Sequence, residues 1–453
     1  MSDNKGGLMG LIPSGPKATP VPIGSLPLEP LILNAITLEA PSDDSENHVF
    51  FRPLNLTESS RAFGGFQSLV DHLLDNTRGK RRPSDLAVLK RHWEYMILNL
   101  SVASLQRKWI LVALSQKSYA SDIWLRRYKL KYTATKTIVD YLKDNQLIEV
   151  KPGRQYTDNP TRTRVFPSRE LQQQLIGFSL DTEEPMEPPY LLINEPSDGY
   201  KEVIGNLVES HPDKADMAVI NNFLRGHRWA CKGPVRLIYK YDPLSSGRLI
   251  TPFQSLPDRR IRIRINTLID DKPICEVDFN ANHLRLNLAV FAGRDAGDSP
   301  YEDIGDIAGG VERSTVKNFI TVAMGADGEQ KAASACRSEG IGQGLFNNLR
   351  DSTLKRYPEA RLFNGFGIYA QNLEGQILKD VMLAGVKTGK VVLPVHDAVA
   401  VVQDDAEWAR EEMLKAWANH ANSEGGTARA RVKIDLPDEP EKGFPKEVNN
   451  TAK

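Results

Sequence analysis

The chain has 453 residues, with 58 Lys and Arg against 58 Asp and Glu, 40% hydrophobic residues and three cysteines. That length supports two or three domains with cores of their own, and a net charge of zero points to no partner. Cys231, Cys275 and Cys336 lie far apart with no Cys-x-x-Cys pair, which argues against a disulfide framework or a zinc site. A reducing, cytoplasmic compartment is expected, and no apolar run approaches the ~20 residues that span a bilayer.

Residues 1–60 are rich in Pro, Gly and Ser with short apolar patches such as Leu31-Ile32-Leu33, and 1–83 are expected to form a mostly disordered arm with one docking strand. The basic run Arg78-Gly79-Lys80-Arg81-Arg82-Pro83 reads equally well as a solvated linker or as an arm that touches nucleic acid. Helical periodicity begins at Ser84, and a second apolar stretch runs from Leu105 to Leu114. Thr133 is the expected N-cap of a helix whose inward face is Ile138, Tyr141 and Leu142. Two strands follow, Leu147–Val150 and Arg162–Phe166, joined across Lys151-Pro152-Gly153.

Residues 84–170 are strongly basic, and this order of helices and a basic ribbon resembles a winged helix-turn-helix domain. Its recognition helix would present Thr135, Lys136 and Lys143 to a groove, with Arg154, Arg162 and Arg164 on the wing. Residues 171–220 are acidic and carry several prolines, predicting a linker, and 437–453 a tail. Within 221–436, Asn221–Arg225 reads as a helix and Arg236–Tyr241 as a strand. Alternation in Arg260-Ile261-Arg262-Ile263-Arg264-Ile265 predicts a strand with an arginine face that tracks phosphates.

The centre of the chain is Cys275-Glu276-Val277-Asp278-Phe279-Asn280-Ala281-Asn282-His283-Leu284-Arg285, an apolar strand ending on a carboxylate just before an amphipathic helix. A second element, Val391–Val402, is two apolar runs broken by His396-Asp397, the pattern of a β-hairpin with Asp397 at its turn. Two aspartates on strand ends could share divalent cations of the kind that handle nucleotidyl transfer. Arg313 and Lys317 stand at i and i+4 of a third element, a helix over Glu312–Met324, where their mutual repulsion would suit a bound polyphosphate.

Together these residues resemble family A DNA polymerases. Asp278-Phe279-Asn280-Ala281-Asn282-His283-Leu284-Arg285 is similar to the first catalytic motif, His396-Asp397 to the His-Asp of the palm hairpin, and Arg313-Ser314-Thr315-Val316-Lys317 to the Arg-x-x-x-Lys of the fingers helix. Gly247-Arg248-Leu249 and Gln254-Ser255-Leu256-Pro257 look like the segments ahead of the palm. The ordered set covers roughly residues 235–405.

The resemblance implies an α+β fold: a polymerase palm with an antiparallel sheet and helical fingers behind a small N-terminal winged helix. It implies a two-metal nucleotidyltransferase using Mg²⁺ or Mn²⁺, with Asp278 and Asp397 as metal ligands and His396 beside them. Arg313, Lys317, His283, Arg248, Gln254 and Arg260 would contact the incoming nucleotide or primer terminus. DNA template and primer, dNTPs or NTPs, and replication proteins are the implied partners, and a membrane is not.

The pattern departs at Gly325-Ala326, where an aromatic-Gly pair is expected, at Ala398 and at His283, where glutamates are expected. With no stretch for a long thumb or an exonuclease, a primase-like or short-patch polymerase of a mobile element fits best. The rivals are a catalytically inactive DNA-binding replication or regulatory factor on the same scaffold, and an RNA-polymerase-like palm.

Overall fold

The computed structural model describes residues 48–57, 60, 62–77, 79–121, 123–153, 162–195, 201–203, 211–240, 242–258, 261–422 and 426–437. The fold is α+β, with two hydrophobic cores. The first core is built from β1 (His48–Phe50), β2 (Asn55–Leu56), α1 (Phe63–Thr77), α2 (Pro83–Gln106), β3 (Trp109–Val112), α3 (Gln116–Ser121), α4 (Ile123–Arg127), α5 (Tyr132–Asp144), β4 (Ile148–Lys151), β5 (Thr163–Pro167) and α6 (Arg169–Leu175). Pro83 opens α2 where its missing N–H costs nothing, and Arg107 closes it in the left-handed region at φ 52°. The strands form one sheet in the order β1-β3-β5-β4.

The second core begins with β6 (Thr182–Glu183), β7 (Leu191–Glu195), β8 (Lys201–Val203), α7 (Asp213–Leu224), β9 (Arg236–Lys240) and β10 (Asp242–Ile250). β11 (Leu268–Ile269) and β12 (Lys272–Phe279) lead into α8 (Asn282–Ala292), α9 (Pro300–Ile307), α10 (Arg313–Gly325), α11 (Glu329–Ser338), α12 (Gln343–Arg356) and the long α13 (Phe366–Thr388). Then come β13 (Leu393–Val395), β14 (Ala398–Val402), α14 (Ala406–Ala421) and β15 (Val432–Asp435). The site is carried by the antiparallel sheet β11-β12-β14-β13, with β15 added to the other side of β12. Register sets Asp278 opposite Ala398 on one side and Lys433 on the other.

Several expectations change. The stretch expected to be a disordered arm contributes β1, β2 and α1, because Phe51, Leu54, Phe66, Leu69 and Leu73 bury against α2; Leu31–Leu33 lie outside the described residues. Residues 171–220 are folded where described rather than forming a linker: β7 pairs with β9, and the acid Glu184 is buried between Arg52 and Arg236. The apolar run Leu105–Leu114 holds β3, a sheet strand between β1 and β5.

α5 starts one residue before Thr133, with Lys131 at its N-cap and no side-chain cap. Thr135 is buried and donates to the Lys131 carbonyl at 3.2 Å, so it faces the core and not a groove. No strand runs over 261–265. Arg264 sits in a short 3₁₀ turn, buried against Glu276, and Arg262 pairs with Asp435 at 3.2 Å. The arginines are thereby used up in structure, and Arg260 lies outside the described residues. Arg154 and nearly all of 437–453 also lie outside them.

Two glycine contacts seat α13, one against α10 and one against the strand β10. A Cβ on Gly367 would stand 2.9 Å from Gly325 Cα, so glycine at 367 lets the start of α13 pack against the end of α10. A Cβ on Gly375 of α13 would stand 1.8 Å from the carbonyl oxygen of Gly247, itself at φ 75° in β10. Neither backbone can yield without moving α13 off the sheet. Gly375→Ala is expected to destabilise the protein by at least about 2–3 kcal/mol, read as a lower urea midpoint with an unchanged slope. A midpoint within error of wild type would show that this contact does not seat the helix.

Candidate active site at a carboxylate cleft

β12 carries a buried run from Ile274 to Val277, and Asp278 follows on the accessible face. The strand runs one residue further, to buried Phe279, before the chain turns through Ala281 at φ 52° into α8. His396 and Asp397 form a two-residue hairpin turn between β13 and β14, with Val395 paired to Ala398. His396 adopts φ 55°, as the first turn position of such hairpins requires. Because Ala398 faces Asp278 across the ladder, Asp397 comes beside Asp278.

Both aspartates are held well above the ordinary carboxylate range. Burial in the cleft is the main cause for Asp278, followed by the charge of Asp397; Lys317 works the other way. For Asp397 burial again leads, followed by the charge of Glu374, while its own backbone N–H, His283 and Lys317 favour the anion. Asp278 is nevertheless solvent-accessible and Asp397 half-buried, so neither carboxylate is sealed from solvent.

Glu374 is the residue that sequence reasoning missed. It is buried on α13, accepts from Asn282 Nδ2 at 3.2 Å, and lies 3.5 Å from His283 Nε2. Asn282 is held in turn by Trp417 Nε1 of α14 at 3.0 Å. A signal existed: a lone acid inside the apolar run Leu373-Glu374-Gly375-Gln376-Ile377-Leu378 has to be buried or break the pattern. Burial disfavours a charged His283, but the hydrogen bond and charge of Glu374 outweigh it and raise the imidazole pKa.

Lys317 is exposed on α10 and acts on both aspartates, whereas Arg313 is engaged by Glu302 at 2.9 Å and stacks over Tyr301 at 5.4 Å. Arg248 approaches His396 Nδ1 at 3.4 Å, and the Gln254 side-chain oxygen accepts from the His396 backbone at 3.4 Å. These two expected substrate contacts therefore brace the hairpin turn. Of the helix and wing residues in the basic lobe, Lys136 is engaged by Asp140 at 2.6 Å and Lys143 is exposed; Arg162 and Arg164 are half-buried. Among the described residues no group of three or more His, Cys, Asp and Glu side chains is close enough to enclose a metal ion. No helix among them is long and apolar enough to cross a membrane.

No protein-family model matches the chain, and no curated protein matches it. Among solved structures it is similar to the POL domain of Pol1 from M. smegmatis in complex with DNA primer-template and dNTP, at 10% identity and a TM-score of 0.30. The match covers 81% of this chain, which spans 65% of the length of that one.

A carboxyl whose folded pKa exceeds its unfolded one adds stability below the unfolded value, about pH 4, and loses it as pH rises through the folded value. Ionising these carboxyls against their burial, and against each other's charge, should thus weaken the metal-free protein towards neutrality. In EDTA at about pH 7.5, Asp278→Asn is expected to be more stable than wild type by roughly 1 kcal/mol, the effect being screened by solvent, with the gap shrinking as pH falls towards 4. An equal gap at both ends of that range would count against a destabilising ionisation of Asp278.

Proposed function

We propose that the protein is a template-directed nucleotidyltransferase acting on DNA, in the manner of a DNA polymerase or primase-polymerase. The observation that carries this reading is the adjacency of Asp278 and Asp397 across the β12–β14 ladder, with the exposed ammonium of Lys317 acting on both. Two neighbouring carboxylates whose charges repel are a costly arrangement for a structural site and a useful one for a cation-binding site. Their oxygen donors suit a hard divalent cation such as Mg²⁺ or Mn²⁺, and Asp278 and Asp397 are the residues that would hold it. Such a cation, when bound, neutralises phosphate charge and acidifies an attacking hydroxyl.

The remaining roles belong to side chains of this chain. Lys317 would hold the triphosphate, and Arg313 would join it by leaving Glu302. Arg248 and Gln254 would keep the hairpin turn, and with it Asp397, in position. His283, held by Glu374, would face the sugar. In the basic lobe the order helix, strand, paired short helices, helix and hairpin supports a winged-helix reading, with Lys143 and the ribbon arginines offered to nucleic acid.

Asp278→Asn and Asp397→Asn are each expected to lower nucleotide incorporation by about 10²–10³-fold, measured with labelled dNTPs and NTPs on primed and unprimed template in Mg²⁺ or Mn²⁺. Substantial turnover by either variant would falsify the assignment, and no incorporation by the wild type in any lane would favour an inactive DNA-binding scaffold.

His283→Glu is expected to shift selection towards dNTPs by roughly ten- to a hundredfold in the ratio of kcat/KM values, since a carboxylate crowds a 2′-hydroxyl that an imidazole can hydrogen-bond. Strong dNTP preference in the wild type, untouched by the substitution, would remove His283 from sugar selection.

A further inference from the structure

Burial alternates along the segment that leads into β15. Ala428 and Ala430 are buried, Arg429 and Lys433 are exposed, and Arg431 is half-buried. Period-two alternation is the signature of an extended strand, in which residues i, i+2 and i+4 share a face. Asn280 N donates to the Arg431 carbonyl at 2.8 Å, so the ladder with β12 reaches back beyond Val432. Arg429, Arg431 and Lys433 therefore form a row about 13 Å long.

The row begins at the cleft. Lys433 is the β15 partner of Asp278, and residues directly opposite in an antiparallel ladder rise on the same face with Cβ atoms about 4.5–5.5 Å apart. Arg431 is fixed by Asp298 at 2.8 Å and Asp295 at 3.3 Å. Among the described residues neither Lys433 nor Arg429 has a carboxylate within ion-pair distance. One solvated lysine would need no explanation. Two cations outside ion-pair distance of any described carboxylate, in register with an anchored arginine and starting at the carboxylate pair, match a ligand with regularly spaced negative charges.

We propose that Arg429 and Lys433, spaced by the anchored Arg431, form a phosphate-tracking edge that seats a nucleic-acid strand running out of the carboxylate cleft. The identity of the strand rests on the nucleotidyl-transfer reading of the cleft; the anion row does not. A backbone laid along this edge passes Asp278 at one end and leaves the sheet at the other, so the added C-terminal strand works as a guide rail as well as an edge cover.

The test is binding of fluorescein-labelled single-stranded and primer-template DNA to the full chain across a KCl series. The double variant Arg429→Ala/Lys433→Ala should bind about tenfold more weakly and reduce the magnitude of the log K against log[salt] slope by about 1.4–1.8, the loss of two phosphate contacts. The charge-conserving pair Arg429→Lys/Lys433→Arg should restore both. Arg429→Ala alone, away from the β12 ladder, should remove about half of the slope change even where the double variant proves unstable. Unchanged affinity and slope in that single variant would overturn the proposal. So would an equal loss of affinity for polyglutamate-competed binding, which would mark a general charge effect. If the wild type incorporates no nucleotide but the slope falls as expected, the row stands and the cleft reading fails. Incorporation with an unaltered slope reverses that outcome.

Discussion

Two carboxylates that repel each other are held side by side by a backbone ladder. The β12–β14 pairing from Ile274–Val402 to Asp278–Ala398 fixes the register, and a one-residue slip would turn Asp278 into the core. The ladder is reinforced from below by a continuous apolar layer that includes Cys275, Val277, Val399 and Val401, all fully buried. Each buried side chain of that size contributes about 1.5–3 kcal/mol, so the layer outweighs the repulsion it has to hold. The helices then supply what the sheet cannot: a cation from α10, and the Asn282–His283–Glu374 cluster where α8 meets α13.

Around this centre, buried ion pairs mark the joints between elements. Arg264 makes two bonds to Glu276, at 2.6 and 3.0 Å, and also binds the carbonyls of Gln254 and Leu256, tying the segment under the hairpin turn to β12. Lys379 of α13 reaches Asp213 and Asp216 of α7, and Asp213 also receives Gln376 at 3.0 Å. Glu184 lies between Arg52 and Arg236, joining the two cores. Such pairs add little net stability over apolar packing, but removing one partner strands a charge, so they specify how the elements meet. Burial disfavours the charged form of Glu184, yet the two arginines hold its carboxyl down to about 2.

The sequence by itself determined the local pieces of the site. Asp278 near the end of its strand, the His396-Asp397 turn and the helical spacing of Arg313 and Lys317 were all legible, because each depends on periodicity and turn chemistry within a dozen residues. The tertiary structure alone decided what those pieces meet. Glu374 enters the cleft because glycine at 375 and 247 lets α13 touch β10, a contact between residues far apart in the chain. Lys433 faces Asp278 because β15 adds to the open side of β12. The arginines at 262 and 264 looked like a phosphate-tracking face, since alternation cannot distinguish a solvated cation from one with a buried partner. Glu276 and Asp435 claimed them, and only long-range packing brings those acids within reach.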